Sequence, residues 1–184
     1  MTKNRVFSRQ LIQCLPKTDL HVHLDGSVRM STLIELAKKQ SISLPSYTVE
    51  GLCKTVFKRQ YRHLSDYLKG FAYTCAVLRD PQTLQQVSYE LAQDCLAEGV
   101  CYVEVRLAPQ LHMQSGLSVA RVLQAVHEGL RQAAREHETS ESVQLHQAPV
   151  FRFGILVCAM RMFRPGFGPY YRHVLATAGQ QVSK

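Results

Sequence analysis

The sequence predicts the α/β class, built from parallel strand–helix units. Two observations carry this expectation: three short runs rich in β-branched and aromatic residues, and long amphipathic helical patterns between them. Alternating strand and helix is what βα units produce, because the helices cover the faces of a parallel sheet and bring the chain back to begin the next strand. A doubly wound sheet and a (β/α)8 barrel share that alternation, which does not choose between them.

The strands are predicted over residues 18–24, 100–107 and 151–159, each short, bounded by Gly or Pro nearby and read as buried on both faces. A helix is predicted over 31–40, with Ser31 as its N-cap, Glu35 early, and Leu33, Ile34, Leu36 and Ala37 on its apolar face. Two more follow over 64–78 and 81–98. In the latter Pro81 suits the first turn, Val87, Leu91 and Leu96 form the apolar face, and Gly99 ends the helix. The fourth, over 118–137, carries Val119, Val122, Leu123, Val126 and Leu130. The polar stretch 138–149 reads as a loop and 169–178 as a last short helix.

With 184 residues, 46% hydrophobic and 20% charged, the chain reads as one domain with a real core. No apolar run approaches the ~20 residues of a membrane span. The basic N-terminus is not followed by the apolar stretch of a secretory signal, so a cytoplasmic location without a membrane partner is expected. The six cysteines (Cys14, Cys53, Cys75, Cys95, Cys101, Cys158) show no C-x-x-C spacing, which favours reduced, buried thiols over disulfides or a thiolate metal site. Net charge is +8, but Lys and Arg are scattered over helix surfaces without an RNP or zinc-finger pattern, so no nucleic-acid partner is expected.

Chemistry concentrates in His21-Val22-His23-Leu24-Asp25-Gly26. Residues two apart on a strand share a face, so His21 and His23 project together while Val22 points the other way. Two such imidazoles can bind one divalent ion, typically zinc, at ~2.0–2.1 Å. Asp25 continues towards the C-terminal end of the strand, where α/β enzymes place their sites. Gly26 lets the backbone turn sharply or approach a ligand. A bare H-x-H is more often a pair of ordinary core or surface histidines, but the apolar strand and the Leu-Asp-Gly at its end favour a metal site. On the second strand Glu104 and Arg106 share a face and are expected to form an inward, structural ion pair. His112, in the loop beyond, receives no role.

The stretch Pro16-Lys17-Thr18-Asp19-Leu20-His21-Val22-His23-Leu24-Asp25-Gly26-Ser27 resembles the first strand of the adenosine deaminase family, within the amidohydrolase superfamily. Glu98-Gly99-Val100-Cys101-Tyr102-Val103-Glu104-Val105-Arg106-Leu107-Ala108-Pro109 is similar to that family's second strand. Gly154-Ile155-Leu156-Val157-Cys158-Ala159-Met160-Arg161 is similar to its third strand and the start of the next loop. H-x-H alone is a superfamily feature. The combination of H-V-H-L-D-G-S with Y-V-E-V-R-x-x-P is specific to the adenosine deaminase and AMP deaminase-like branch.

The resemblance implies a (β/α)8 TIM-type barrel with zinc at the C-terminal mouth of its strands. Residues 1–184 would be one partial domain, the N-terminal portion of that barrel with about three βα units. It implies His21 and His23 as zinc ligands, and Asp25, with His23, on the ribose side of the substrate. Residues 64–71 would be a helical flap over the purine, with Leu64, Tyr67, Leu68 and Phe71 as its apolar wall, although this spacing is also that of any packed helix face. The implied reaction is hydrolytic deamination of adenosine, a small-molecule purine nucleoside, to inosine and ammonia, zinc lowering the pKa of a bound water towards ~7.

In the family a third zinc histidine, a His-Ala-Gly-Glu stretch with the proton-donating glutamate, a further histidine and an Asp-Asp pair come from later strands. None of these motifs occurs here. The expectation is a truncated chain whose zinc site is incomplete, since catalytic zinc usually takes three protein ligands. Alone, it is expected to show little or no deaminase activity and to self-associate through open barrel edges. Two other readings stay open: a non-catalytic half-barrel that binds a partner, and another amidohydrolase acting on AMP or adenine.

Overall fold

In the computed structural model, residues 7–113 and 116–160 are described. Three parallel strands, β1 (Lys17–His23), β2 (Val100–Leu107) and β3 (Arg152–Val157), form one sheet in the order β1-β2-β3. The helices, in chain order, are α1 (Arg9–Cys14), α2 (Met30–Lys39), α3 (Val49–Thr55), α4 (Leu64–Val77), α5 (Pro81–Ala97), α6 (Val119–Glu138) and α7 (Glu141–Gln144), with a 3₁₀ turn at Pro109–His112 after β2.

The register explains which face of the sheet is dry. Val22 lies opposite Val105 and Val105 opposite Ile155, while His23, Arg106 and Leu156 form the next row on the other face. Val103, Val105 and Leu107 of β2 are buried in one cluster with Leu84, Val87 and Leu91 of α5 and Val122, Val126 and Leu130 of α6. Helices α5 and α6 approach so closely that a Cβ on Gly129 would stand 2.2 Å from the Gln85 carbonyl oxygen, a contact only glycine permits.

Capping residues fix where the long helices begin. The Asp80 side chain accepts from the Thr83 backbone N–H at 2.8 Å and the Asp80 N–H reaches Thr83 Oγ1, a reciprocal box at the start of α5. Gly99, at φ 78°, takes the left-handed conformation that ends the same helix. Ser118 caps α6 by accepting from the Arg121 N–H at 3.2 Å. Arg29 docks the start of α2 on α5 through a forked contact with Asp94, with Nη2–Oδ1 2.6 Å and Nε–Oδ2 3.0 Å.

Several sequence expectations need correction. Helix α2 starts one residue early, so Arg29 occupies the N-cap, without a side-chain cap, and Ser31 lies inside the helix. Of β1, residues 18–21 and His23 are exposed rather than buried on both faces, β1 being an edge strand of the described sheet. The stretch 138–149 contains the short helix α7 rather than loop alone. Among the described thiols Cys95 is buried, Cys53 exposed, and Cys75, Cys101 and Cys158 half-buried; all are free. The helix expected over 169–178 lies outside the described residues. No helix among the described residues is long and apolar enough to cross a membrane.

Candidate functional site

A bulge shapes the outer half of β1. Asp19 lies opposite Val103 and Val22 opposite Val105, so β1 advances one residue more than β2 across this interval. The polar groups freed from the ladder find local partners. The Leu20 carbonyl accepts from Arg106 Nη2 at 3.2 Å, and the His21 N–H donates to Asp19 Oδ1 at 3.2 Å. Arg106 therefore serves the bulge instead of the expected partner Glu104, which accepts from the Tyr102 hydroxyl at 3.2 Å.

His21, within the bulge, and His23, just beyond it, are both exposed, with ring centroids 5.4 Å apart and planes inclined by 33°. Two imidazoles on one tetrahedral ion with Zn–N near 2.0–2.1 Å place their centroids about 5 Å apart, close to the separation of this pair. Among the described residues, no group of three His, Cys, Asp or Glu side chains converges to complete one.

The chain then turns back tightly. Ser27 donates its backbone N–H to the Leu24 carbonyl and its hydroxyl to the His23 carbonyl, at 3.1 and 2.7 Å. Gly26 stays outside the left-handed region, and a Cβ there would meet Phe71 at an ordinary 3.5 Å. The turn does not demand glycine; what it does is tuck Asp25 inward. Asp25 is 7% exposed, its Oδ2 accepts from the Cys75 thiol at 3.6 Å, and its Oδ1 makes no hydrogen bond, the His23 Nδ1 standing 3.9 Å away.

Asp25 forms one wall of a cavity of about 80 Å³ whose remaining lining is largely apolar: Val28, Met30, Phe57, Tyr61, Tyr67 and Phe71 are its main side chains. Tyr67 bridges Tyr61 and Phe71 with edge-to-face contacts at 5.3 and 5.6 Å. Of the four flap candidates, Tyr67 and Phe71 line this cavity, whereas Leu64 and Leu68 project to the surface, 71% and 51% exposed. The buried positions of α4 are Gly70, Thr74 and Val77, so the Leu64/Tyr67/Leu68/Phe71 stripe is not the face by which this helix joins the core.

The structure adds residues that sequence reasoning missed. Phe57 and Tyr61 come from the α3–α4 connection, where no periodicity flags them. Cys75 lies on α4 and touches Asp25. His112, left without a role as a loop histidine, is 1% exposed at the end of the 3₁₀ turn. Burial holds its imidazole below the ordinary pKa and hence neutral at pH 7, partly opposed by the Asp25 charge. The Leu78 carbonyl also lies towards the ring, yet neither ring nitrogen makes a hydrogen bond of normal geometry. The signal available in the sequence was Pro109, which starts a buried turn directly after β2.

Comparison with known proteins places this geometry in a family. The adenosine deaminase family model matches residues 16–166. An adenosine deaminase from Clostridium perfringens is 42% identical over 120 residues, covering 65% of this chain and 36% of its own length. The chain spans between about a sixth and a third of the curated relatives it matches. Among solved structures, the N6-methyl-AMP deaminase of Arabidopsis thaliana superimposes with a TM-score of 0.69 at 25% identity, over 93% of this chain and 47% of that one. An amidohydrolase from Burkholderia ambifaria with bound Zn gives a TM-score of 0.60 at 21% identity, over 96% and 54%. These neighbours are TIM-barrel amidohydrolases, and the three-stranded open sheet corresponds to part of such a barrel. The chain belongs to the adenosine deaminase family.

Proposed function

We propose that this chain carries the sugar-binding wall and two metal ligands of an adenosine deaminase-type hydrolase, which converts adenosine and water to inosine and ammonia. The observation that carries this reading is the buried Asp25 carboxylate, with one oxygen unpartnered, beside two paired imidazoles and an aromatic-walled cavity. His21 and His23 would hold the zinc ion, which when bound supplies a water activated near neutral pH. Asp25 would accept a hydrogen bond from a sugar hydroxyl, which its burial otherwise leaves short of partners. Tyr67 and Phe71 present apolar surface to the nucleoside and exclude water from its side of the site, and the exposed stripe on α4 suits a flap better than a core contact.

The charge of the cavity favours a nucleoside over a nucleotide. Asp25 is the one ionisable acid among its lining residues and no Lys, Arg or His joins it, so a 5′-phosphate dianion would meet a carboxylate without a compensating cation. The cavity is also far below the roughly 300–1,000 Å³ of a pocket that encloses a whole small ligand; it takes one group, not the entire nucleoside. Calorimetric titration of adenosine, AMP and adenine into the full chain tests this. The expected order is adenosine tightest, with Asp25→Ala weakening adenosine about tenfold or more and leaving adenine unchanged. Tighter binding of AMP would overturn the nucleoside reading in favour of the nucleotide chemistry of the Arabidopsis relative.

A non-catalytic reading is favoured by one observation, the lack of a third metal donor among the described residues. Inosine formation by the zinc-loaded chain separates the two, because a binding module forms none.

A further inference from the structure

His21 and His23 offer half of a zinc coordination shell, and they offer it to solvent. Both are exposed on β1, which is an edge strand of the described sheet. Their rings stand 5.4 Å apart, close to the separation of two imidazoles on one ion. Among the described residues neither ring makes a hydrogen bond, and His23 Nδ1 stands 3.9 Å from Asp25 Oδ1, which leaves Nε2 for a metal. Zinc in a closed site takes four donors, and no third His, Cys, Asp or Glu side chain converges on the pair among the described residues. The two donors still needed match, in kind and number, those that a second copy presents. In a two-fold dimer the same patch meets itself, so an axis through the ion supplies His21 and His23 twice.

The surface of the strand says what would hold such a contact. Leu20, 54% exposed, is the one large apolar side chain that β1 leaves open. A single leucine falls far short of the roughly 1,200–2,000 Å² buried in a stable interface. Metal, not apolar burial, must then join the two copies.

We propose that one zinc ion joins two copies of this chain through His21 and His23 of each. Four imidazoles close the shell, so no position is left for an activated water and the paired form does not hydrolyse. The proposal rests on the reading of these histidines as metal ligands.

Zinc titration of the full chain, followed by light scattering on a sizing column and by native mass spectrometry, tests it. The mass should double near half an equivalent, with one ion per two chains, and return to that of the single chain with chelator. It should also fall as zinc rises towards one ion per chain, where mass action gives each pair its own ion. His21→Ala and His23→Ala, both at exposed positions, should each remove the doubling. Cys53→Ser, which deletes the exposed thiol among the described residues, should keep it. Zinc held by the two histidines of a single chain at every ratio overturns the dimer and leaves the metal-ligand reading standing. Zinc that shifts neither histidine ring overturns both. A dimer that persists without zinc, or that is lost with Cys53→Ser, overturns the proposal too.

Discussion

Burial, then the charge of Asp25 and the hydrogen bond to it, push the Cys75 thiol up to about 12 from an ordinary 9.0, and burial takes the Cys95 thiol to about 11. At pH 8 the thiolate fraction of Cys75 is then on the order of 10⁻⁴, so iodoacetamide should label the exposed Cys53 long before Cys75, as peptide mass spectrometry of a time course will show. The same shifts act on stability. Both folded-state values lie above the unfolded ones, so the native state keeps protons that the unfolded chain releases. The resulting stabilisation is complete below about pH 9 and is lost as pH rises through 11 and 12. Urea midpoints should accordingly fall above pH 9, and Cys75→Ser should lessen that fall. At this scale the sequence was only partly legible. His21 and His23 could be paired from spacing alone, because strand alternation is a local rule. The polar setting of Asp25 could not, because Cys75 reaches it from a position 50 residues further along the chain.

Local physics also explains which elements were visible in the sequence. Helices α5 and α6 could be read almost to the residue, since Pro81, Gly99 and Ser118 carry their own backbone preferences and the apolar period is long. Helices α1 and α3 and the 3₁₀ turn were missed; at four to seven residues they are too short for a period to show. The bulge in β1 was invisible because its warrant is non-local, with Arg106 of the neighbouring strand satisfying the freed Leu20 carbonyl. The contact of α5 with α6 yields a sharp test. In Gly129→Ala the new methyl meets the Gln85 carbonyl, Ser88 and the Tyr89 backbone at 2.2–2.9 Å. Overpacking of this kind costs roughly 1–3 kcal/mol, more than the up to about 1 kcal/mol that alanine gains over glycine in a helix. Chemical denaturation should therefore show Gly129→Ala to be the less stable protein; a gain in stability would mean that the two helices can slide apart freely.

For the whole molecule, the sheet divides the chemistry by face. Helices α5 and α6 bury one side in apolar packing, and His23 and Arg106 stand in the row of the other side. The parallel α/β class was legible because alternation of strand and helix is written in periodicity. The exposure of β1 among the described residues was not, because its apolar sequence implies burial while its place at the edge of the sheet depends on strand order. Family and fold rest on the match over residues 16–166, while the proposed metal site rests on the histidine pair. Its most direct test is a zinc titration followed at the ring Cε1–H resonances of His21 and His23. The account predicts that both move together to saturation at one equivalent of zinc, and that His21→Ala abolishes the response of His23. Zinc that leaves both rings unshifted while it is taken up by the cysteines would contradict it.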